Sequence, residues 1–187
     1  MKNKCLFVHI AKTGGSSLTH ALNPFVLKYG SQRVPPNSEF IKSLKFRFSF
    51  VRNPYTRYAS VALNLLNKHP LFYVNPETFT EFTIYTFLTQ HKESFENWDI
   101  DWMNLIPMHQ MLHYKDGKPE VDFVGRFENL QEDYEKVREM LGVGKALSHE
   151  NKSDYSGGDY EQFYTPETKK IVADVYSKDF ETFGYKK

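Results

Sequence analysis

The sequence lacks the features on which disulfide, metal and tyrosine-phosphatase chemistry depend. Its single cysteine, Cys5, excludes an internal disulfide, and its place in an apolar run favours a buried thiol. A Cys-x5-Arg phosphatase loop is also excluded, because Ala11 stands where the arginine would be. The seven histidines contain no H-E-x-x-H pair, and one cysteine cannot form C-x-x-C. We therefore predict no metal site.

Strong net charge and long apolar runs are missing too. The 24 Lys and Arg nearly balance the 23 Asp and Glu, so no global field favours nucleic acid or an anionic membrane as a partner. The apolar run at residues 5–8 is too short for a signal peptide or a membrane span. Aromatic residues are plentiful at 16 % of the chain, which indicates a well-filled core. We expect one domain over residues 1–187.

Strands alternate with helices along this sequence. The pattern predicts strands over 5–10, 44–54 and 119–127, with a brief one at 32–34, and helices that begin near Ser16, Pro54, Asn75, Asn129 and Thr165. We expect a capping box between Asn129 and Glu132, and a helix stop at Gly142. This alternation predicts an α/β fold of P-loop-like, three-layer type, whose central, mostly parallel sheet is flanked by helices.

The first candidate site is "AKTGGSS", which follows the first predicted strand. Adjacent glycines let backbone N–H groups converge on an anion at a helix N-terminus. In nucleotide triphosphatases the lysine follows the last glycine, whereas Lys12 precedes Gly14 and Gly15. The alternative is a plain connection between strand and helix.

The second candidate is "SFVRNPYTRYAS", in which Arg52 ends a predicted strand and Ser60 lies two turns into the next helix. An arginine and a hydroxyl at this place are suited to a second phosphate, with Asn53 and Arg57 nearby. Taken alone, Arg52 is equally suited to a surface salt bridge and Ser60 to an ordinary position on a helix.

Together these motifs resemble the small carbohydrate-type sulfotransferases of sulfotransferase family 2, which are related to the heparan and chondroitin sulfate sulfotransferases. The resemblance spans about residues 10 to 185 and rests on "HIAKTGGSSL", "FVRNPYTRYAS", "VDFVGRFENLQEDYEKV", "HENKS" and "YTPETKKIVADVYSKDFETFGY". It implies a donor, 3′-phosphoadenosine 5′-phosphosulfate (PAPS), with the product adenosine 3′,5′-bisphosphate (PAP). It also implies a hydroxyl acceptor of carbohydrate type.

The resemblance further implies a role for individual residues. The 5′-phosphosulfate would be held by Lys12, Thr13, Gly14, Gly15, Ser16 and Ser17, the 3′-phosphate by Arg52 and Ser60, and the loop that folds over the donor would contribute Lys152 and Ser153. Lys12 would also be catalytic, because a cation there stabilises the charge that grows on the oxygen between sulfur and phosphorus.

The catalytic base is less clearly marked. In the family that the chain resembles, a His or Glu often lies between the two motifs. Here this segment contains no histidine, and its only carboxylate is Glu39, so the resemblance implies Glu39 as the base. His9 and His20 are the alternatives. A chain without a base would be a PAPS- or PAP-binding module that does not turn over, and a nucleotide-dependent kinase is the enzymatic rival. We expect a cytoplasmic protein, or one of the Golgi lumen if the chain is a domain excised from an anchored enzyme.

Overall fold

The computed structural model falls into two compact units, which are described separately. One unit comprises Met1–Arg52 and Pro107–Ser153, and the other comprises Asn53–Ile106 and Asp154–Lys187. The structure describes residues 5–29, 44–68, 102–112, 114–115, 118–147 and 160–187. The expectation of one domain over the whole chain stays a prediction.

The first unit contains all the described strands. They are β1 (Cys5–Val8), β2 (Leu27–Tyr29), β3 (Phe46–Val51), β4 (Tyr114–Lys115), β5 (Lys118–Pro119) and β6 (Phe123–Arg126). The main sheet has the order β2-β1-β3-β6, and each neighbouring pair in it is parallel. Strands β4 and β5 form a separate antiparallel ribbon. The predicted α/β fold with a mostly parallel sheet is confirmed.

One predicted strand differs from the observed sheet. We expected a brief strand at 32–34, which lies outside the described residues, whereas β2 pairs with β1 through Leu27–Tyr29. This strand has only three residues, too few for a recognisable alternation of apolar and polar side chains.

Six helices are described across the two units. They are α1 (Gly15–Leu22), α2 (Pro54–Lys68), α3 (Met108–Met111), α4 (Leu130–Leu141), α5 (Pro166–Val175) and α6 (Ser177–Phe183). Helices α1, α3 and α4 belong to the first unit. The helix predicted from Asn75 lies outside the described residues.

The core of the first unit forms on the face of β3 that carries its phenylalanines. Phe48 pairs with Phe7 of β1, and their rings stack with centroids 5.2 Å apart. The cluster is completed by Leu18, Ala21 and Leu22 of α1, Phe50 of β3, and Tyr134 and Val137 of α4. Consecutive residues of β1 are buried, as expected for a parallel sheet that is covered on both faces.

The predicted helix stop at Gly142 and the predicted helix start at Thr165 are confirmed. The backbone of Gly142 is left-handed and ends α4, and Thr165 caps α5 by accepting a hydrogen bond from the Thr168 N–H at 3.2 Å. The capping box at Asn129 is wrong, because its side chain makes no cap hydrogen bond. A 3-10 turn over Phe127–Asn129 precedes α4, so the chain is already coiled where the cap was expected.

The second unit packs α2 with α5 and α6. Its core consists of Tyr55, Tyr58, Val61, Leu105, Val172, Tyr176 and Phe180. The Tyr176 hydroxyl donates to the Leu105 carbonyl at 2.7 Å, which ties α5 to the 3-10 turn Trp102–Leu105. Within the described ranges, no helix combines the length and the apolar character needed to cross a bilayer.

Candidate active site

The order of the strands defines where a ligand is expected in the first unit. Strand β1 lies between β2 and β3, so the chain leaves β1 toward one side and later returns to the other. In parallel α/β sheets such a reversal leaves a crevice outside the carboxyl ends of the two strands, where ligands bind. The residues that follow β1 and β3 at this edge include Lys12 and Arg52, the predicted anion-binding residues.

The turn after β1 has an unusual backbone. Lys12 is the only residue other than glycine that has a positive φ in the described part of the chain, at 66°, and Gly14 follows with φ 85°. The buried Thr13 hydroxyl donates to the Ile10 carbonyl at 2.8 Å and closes the turn from inside. A lysine in the left-handed region is uncommon, so this conformation must be held by its surroundings.

Helix α1 starts directly behind this turn. No side chain caps it at Gly14, and its first turn contains no acidic residue, so its positive dipole end is not neutralised from within the helix. Ser16 is exposed and Ser17 is partly buried in that first turn. A helix start of this kind is suited to an anion, which is the role predicted for the turn.

The two glycines of the turn are closely surrounded. A Cβ on Gly15 would lie 1.8 Å from Nε2 of His9, so a side chain at residue 15 would force this imidazole to move. A Cβ on Gly14 would lie 2.9 Å from Leu130 and 3.3 Å from the Phe127 ring. Gly14 is therefore favoured by its left-handed backbone and by close packing, and Gly15 by close packing alone.

Burial strongly perturbs His9. Desolvation lowers its pKa to about 4, with a further contribution from the positive charge of Lys28. The imidazole, whose ring centroid lies 5.7 Å from that of Phe7, is therefore neutral at pH 7. Of the other predicted bases, His20 is exposed in the last turn of α1 and Glu39 lies outside the described residues.

Arg52 is joined to the glycine-rich turn. Its guanidinium Nη1 donates to the Lys12 carbonyl at 3.2 Å, and its Cζ lies 4.1 Å from the centroid of the Phe127 ring. The side chain is only 5 % exposed. The structure thus brings together two residues that the sequence placed in different motifs, Lys12 and Arg52.

Phe127 is the part of this site that the sequence analysis missed. Its ring contacts Arg52 on its face, and it also lies against the position of a Cβ on Gly14. The one available signal is its place as the last residue of the predicted strand 119–127, at the end of a strand where functional residues of parallel sheets concentrate. The resemblance assigned it no role.

The remaining predicted residues are less directly constrained. Ser60 belongs to the second unit, where it lies in α2 and is partly buried. Its neighbour Arg57 is 2 % exposed and donates to the carbonyls of Asn104 and Ile106, at 2.8 and 3.0 Å. Arg57 therefore has a structural task in the second unit. Lys152 and Ser153 lie outside the described residues.

One buried polar atom stands out in the first unit. The side-chain oxygen Oε1 of Gln110, in α3, is buried and has no hydrogen-bond partner among the residues that the structure describes. Such atoms are rare in folded proteins. Across the described segments, no group of three or more His, Cys, Asp or Glu is placed to hold a metal ion.

Comparison with known proteins places the chain in a class of transferases. The chain belongs to the Sulfotransferase family, whose pattern it matches over residues 1–186. This match confirms the resemblance drawn from the motifs, and it covers the turn at Lys12 and the segment from Arg52 to Ser60. Comparison with curated proteins gave no match.

Proposed function

We propose that this protein transfers a sulfuryl group from PAPS to a hydroxyl group of a carbohydrate. The observation that carries the proposal is the turn from Lys12 to Gly15, which lies at the carboxyl edge of β1 and is bonded to Arg52 at the edge of β3. Membership of the Sulfotransferase family supports sulfuryl transfer. The PAPS donor and the carbohydrate acceptor are the proposed refinements.

The residues of the turn fit the 5′-phosphosulfate. The left-handed backbone of Gly14 and the start of α1 at Gly15 offer backbone N–H groups, and no carboxylate lies in the first turn to repel an anion. Lys12 adds a full positive charge ahead of the glycines. When bound, PAPS supplies an activated sulfuryl group whose leaving group is the 5′-phosphate. Lys12 stabilises the negative charge that develops on that leaving group.

The 3′-phosphate is assigned to Arg52, with Ser60 as a further predicted ligand. A guanidinium is suited to this task because it presents several N–H donors in one plane. The position of Arg52 at the β1/β3 edge supports the assignment.

Glu39 is proposed to accept the proton of the acceptor hydroxyl. His9 is a weaker candidate, because its ring packs against Gly15 of the turn. His20 stays the second alternative. A general base contributes roughly a hundred- to ten-thousand-fold to a rate, so without one the site would bind its nucleotide and turn over slowly.

Two rival functions make different predictions. A binding module would take up PAP and PAPS without producing a sulfated acceptor. A kinase would need a carboxylate for Mg²⁺ at a strand end, but β1, β3 and β6 are followed by His9, Arg52 and Phe127. Glu128 follows one residue later, so the observation against a kinase is chiefly Lys12, which precedes the glycines instead of following them as in nucleotide triphosphatases.

The test is to incubate the protein with PAPS and a panel of glycans and to analyse both products by mass spectrometry. We expect one glycan class to gain the mass of a sulfuryl group while PAP accumulates in equal amount. Binding of PAP without a sulfated product from any hydroxyl acceptor would favour the binding module. Phosphorylated glycan formed from ATP and Mg²⁺ would favour the kinase.

A further inference from the structure

We infer that Arg52 is a positioning residue for the Lys12 turn, with Phe127 as its platform, so that the two anion motifs act as one coupled unit. This inference rests on the proposed function, in which the turn holds the 5′-phosphate end of the donor. It adds to the 3′-phosphate role of Arg52 a second role toward the opposite end of the same ligand.

The backbone of Lys12 has an unusual conformation. Its φ of 66° is a conformation that residues with a side chain seldom adopt, and it persists only where neighbouring groups hold it. Among the hydrogen bonds at the turn, the Thr13 hydroxyl donates to the Ile10 carbonyl, and Arg52 donates to the carbonyl of Lys12 itself. Arg52 therefore acts directly on the residue that has the unfavourable conformation.

Arg52 is itself held in place by Phe127. Its guanidinium lies over the face of Phe127, at 4.1 Å, and the side chain is buried, so the cation–π contact is shielded from water. Phe127 also lies against Gly14 in the turn. One ring thus supports the arginine and the glycine that the two motifs contribute, and a change at Phe127 affects both.

Ligand truncation distinguishes this role from a simple 3′-phosphate contact. Adenosine 5′-monophosphate lacks the 3′-phosphate, so a residue that only binds that phosphate has no effect on its affinity. We expect Arg52→Ala to lower the affinity for adenosine 5′-monophosphate roughly tenfold, as for loss of one charge-assisted hydrogen bond. Calorimetric titration of the monophosphate and of PAP provides both affinities.

The chain offers matched controls. Arg47 lies at the other end of β3 and pairs with Asp122 at 3.3 Å, so Arg47→Ala removes an arginine of the same strand without touching the turn. It should bind both nucleotides like the wild type. Phe127→Leu keeps every charge but should weaken the binding of adenosine 5′-monophosphate. Phe127→Tyr keeps the aromatic ring and should bind it like the wild type. These two variants also decide the matter if Arg52→Ala does not fold.

A second readout needs no nucleotide. The ¹³Cα chemical shift of Lys12 reports its φ, and we expect Arg52→Ala and Phe127→Leu to move it away from the left-handed value. Unchanged affinity for adenosine 5′-monophosphate in both variants, within about twofold, would overturn the inference. If the wild type binds no adenine nucleotide, the proposed function fails, and the positioning role is then tested by the ¹³Cα shift of Lys12 alone. A changed shift in the two variants supports that role, and an unchanged shift overturns it.

Discussion

The imidazole of His9 occupies the position that the Cβ atom of a side chain at residue 15 would take. A Cβ on Gly15 would lie 1.8 Å from His9 Nε2 and 1.9 Å from Cδ2, well inside contact distance. Gly15 is the first residue of α1, so its own backbone conformation does not demand glycine. Residue 15 is therefore glycine because of the neighbouring His9 ring, and not because of the conformation of the turn.

Gly15→Ala should therefore destabilise the protein by about 1–3 kcal/mol, as overpacking does. In a His9→Ala background the sign should reverse, because alanine is then the better helix residue, by up to about 1 kcal/mol. Urea unfolding of the two single variants, the double variant and the wild type measures this coupling. An equal loss on Gly15→Ala in both backgrounds would show that the two residues are independent.

The buried imidazole also predicts how stability depends on pH. The pKa of His9 is about 4 in the folded protein against 6.5 for an ordinary histidine, so the unfolded chain binds more protons between these values. The contribution of His9 to stability is complete above the upper value and falls with decreasing pH, by up to about 1.4 kcal/mol per unit. Unfolding of the wild type and His9→Asn should show a steeper dependence for the wild type. Parallel curves would contradict the lowered pKa.

Lys12 should matter more for turnover than for binding. Its charge is proposed to act on the leaving group, so Lys12→Met should lower the single-turnover rate by about a hundredfold or more and change PAP affinity much less. Lys145→Met removes an exposed lysine of the same unit and should leave both quantities unchanged. A Lys12 variant that loses affinity while each bound complex reacts at the wild-type rate would refute its transition-state role.

The proposed role of Glu39 as general base is tested by replacing its carboxylate with an amide. Glu39→Gln should reduce turnover at least about a hundredfold, the lower limit for a general base, while PAP affinity is retained. Glu139→Gln, an exposed glutamate in the last turn of α4, is the matched control. If the Glu39 variant keeps its activity, the same measurement on His9→Asn and His20→Asn identifies which histidine serves instead.

The fold was predictable where the signal is local. The alternation of Phe46, Phe48 and Phe50 predicts β3, and the glycines after the first apolar run predict the turn into α1. The cap at Asn129 failed because a competing local structure, the 3-10 turn before α4, cannot be read from the cap residue alone.

The internal connections of the site were not predictable in the same way. Arg52 and Lys12 are 40 residues apart in the chain, and their hydrogen bond follows from the order of β1 and β3 in the sheet. Phe127 joins them only because β6 pairs with β3 in a register that sets Arg126 beside Val51. Motif spacing predicts which residues bind anions, but the contacts between motifs depend on the assembled sheet.

The most direct test of the central claim is the melting temperature with PAP compared with ATP and Mg²⁺. A ligand at about a hundred times its dissociation constant adds about 2.7 kcal/mol to the free energy of unfolding. We expect saturating PAP to raise the melting temperature clearly, and ATP with Mg²⁺ to raise it far less. No shift with PAP, or a larger one with ATP and Mg²⁺, would contradict a PAPS site at Lys12 and Arg52.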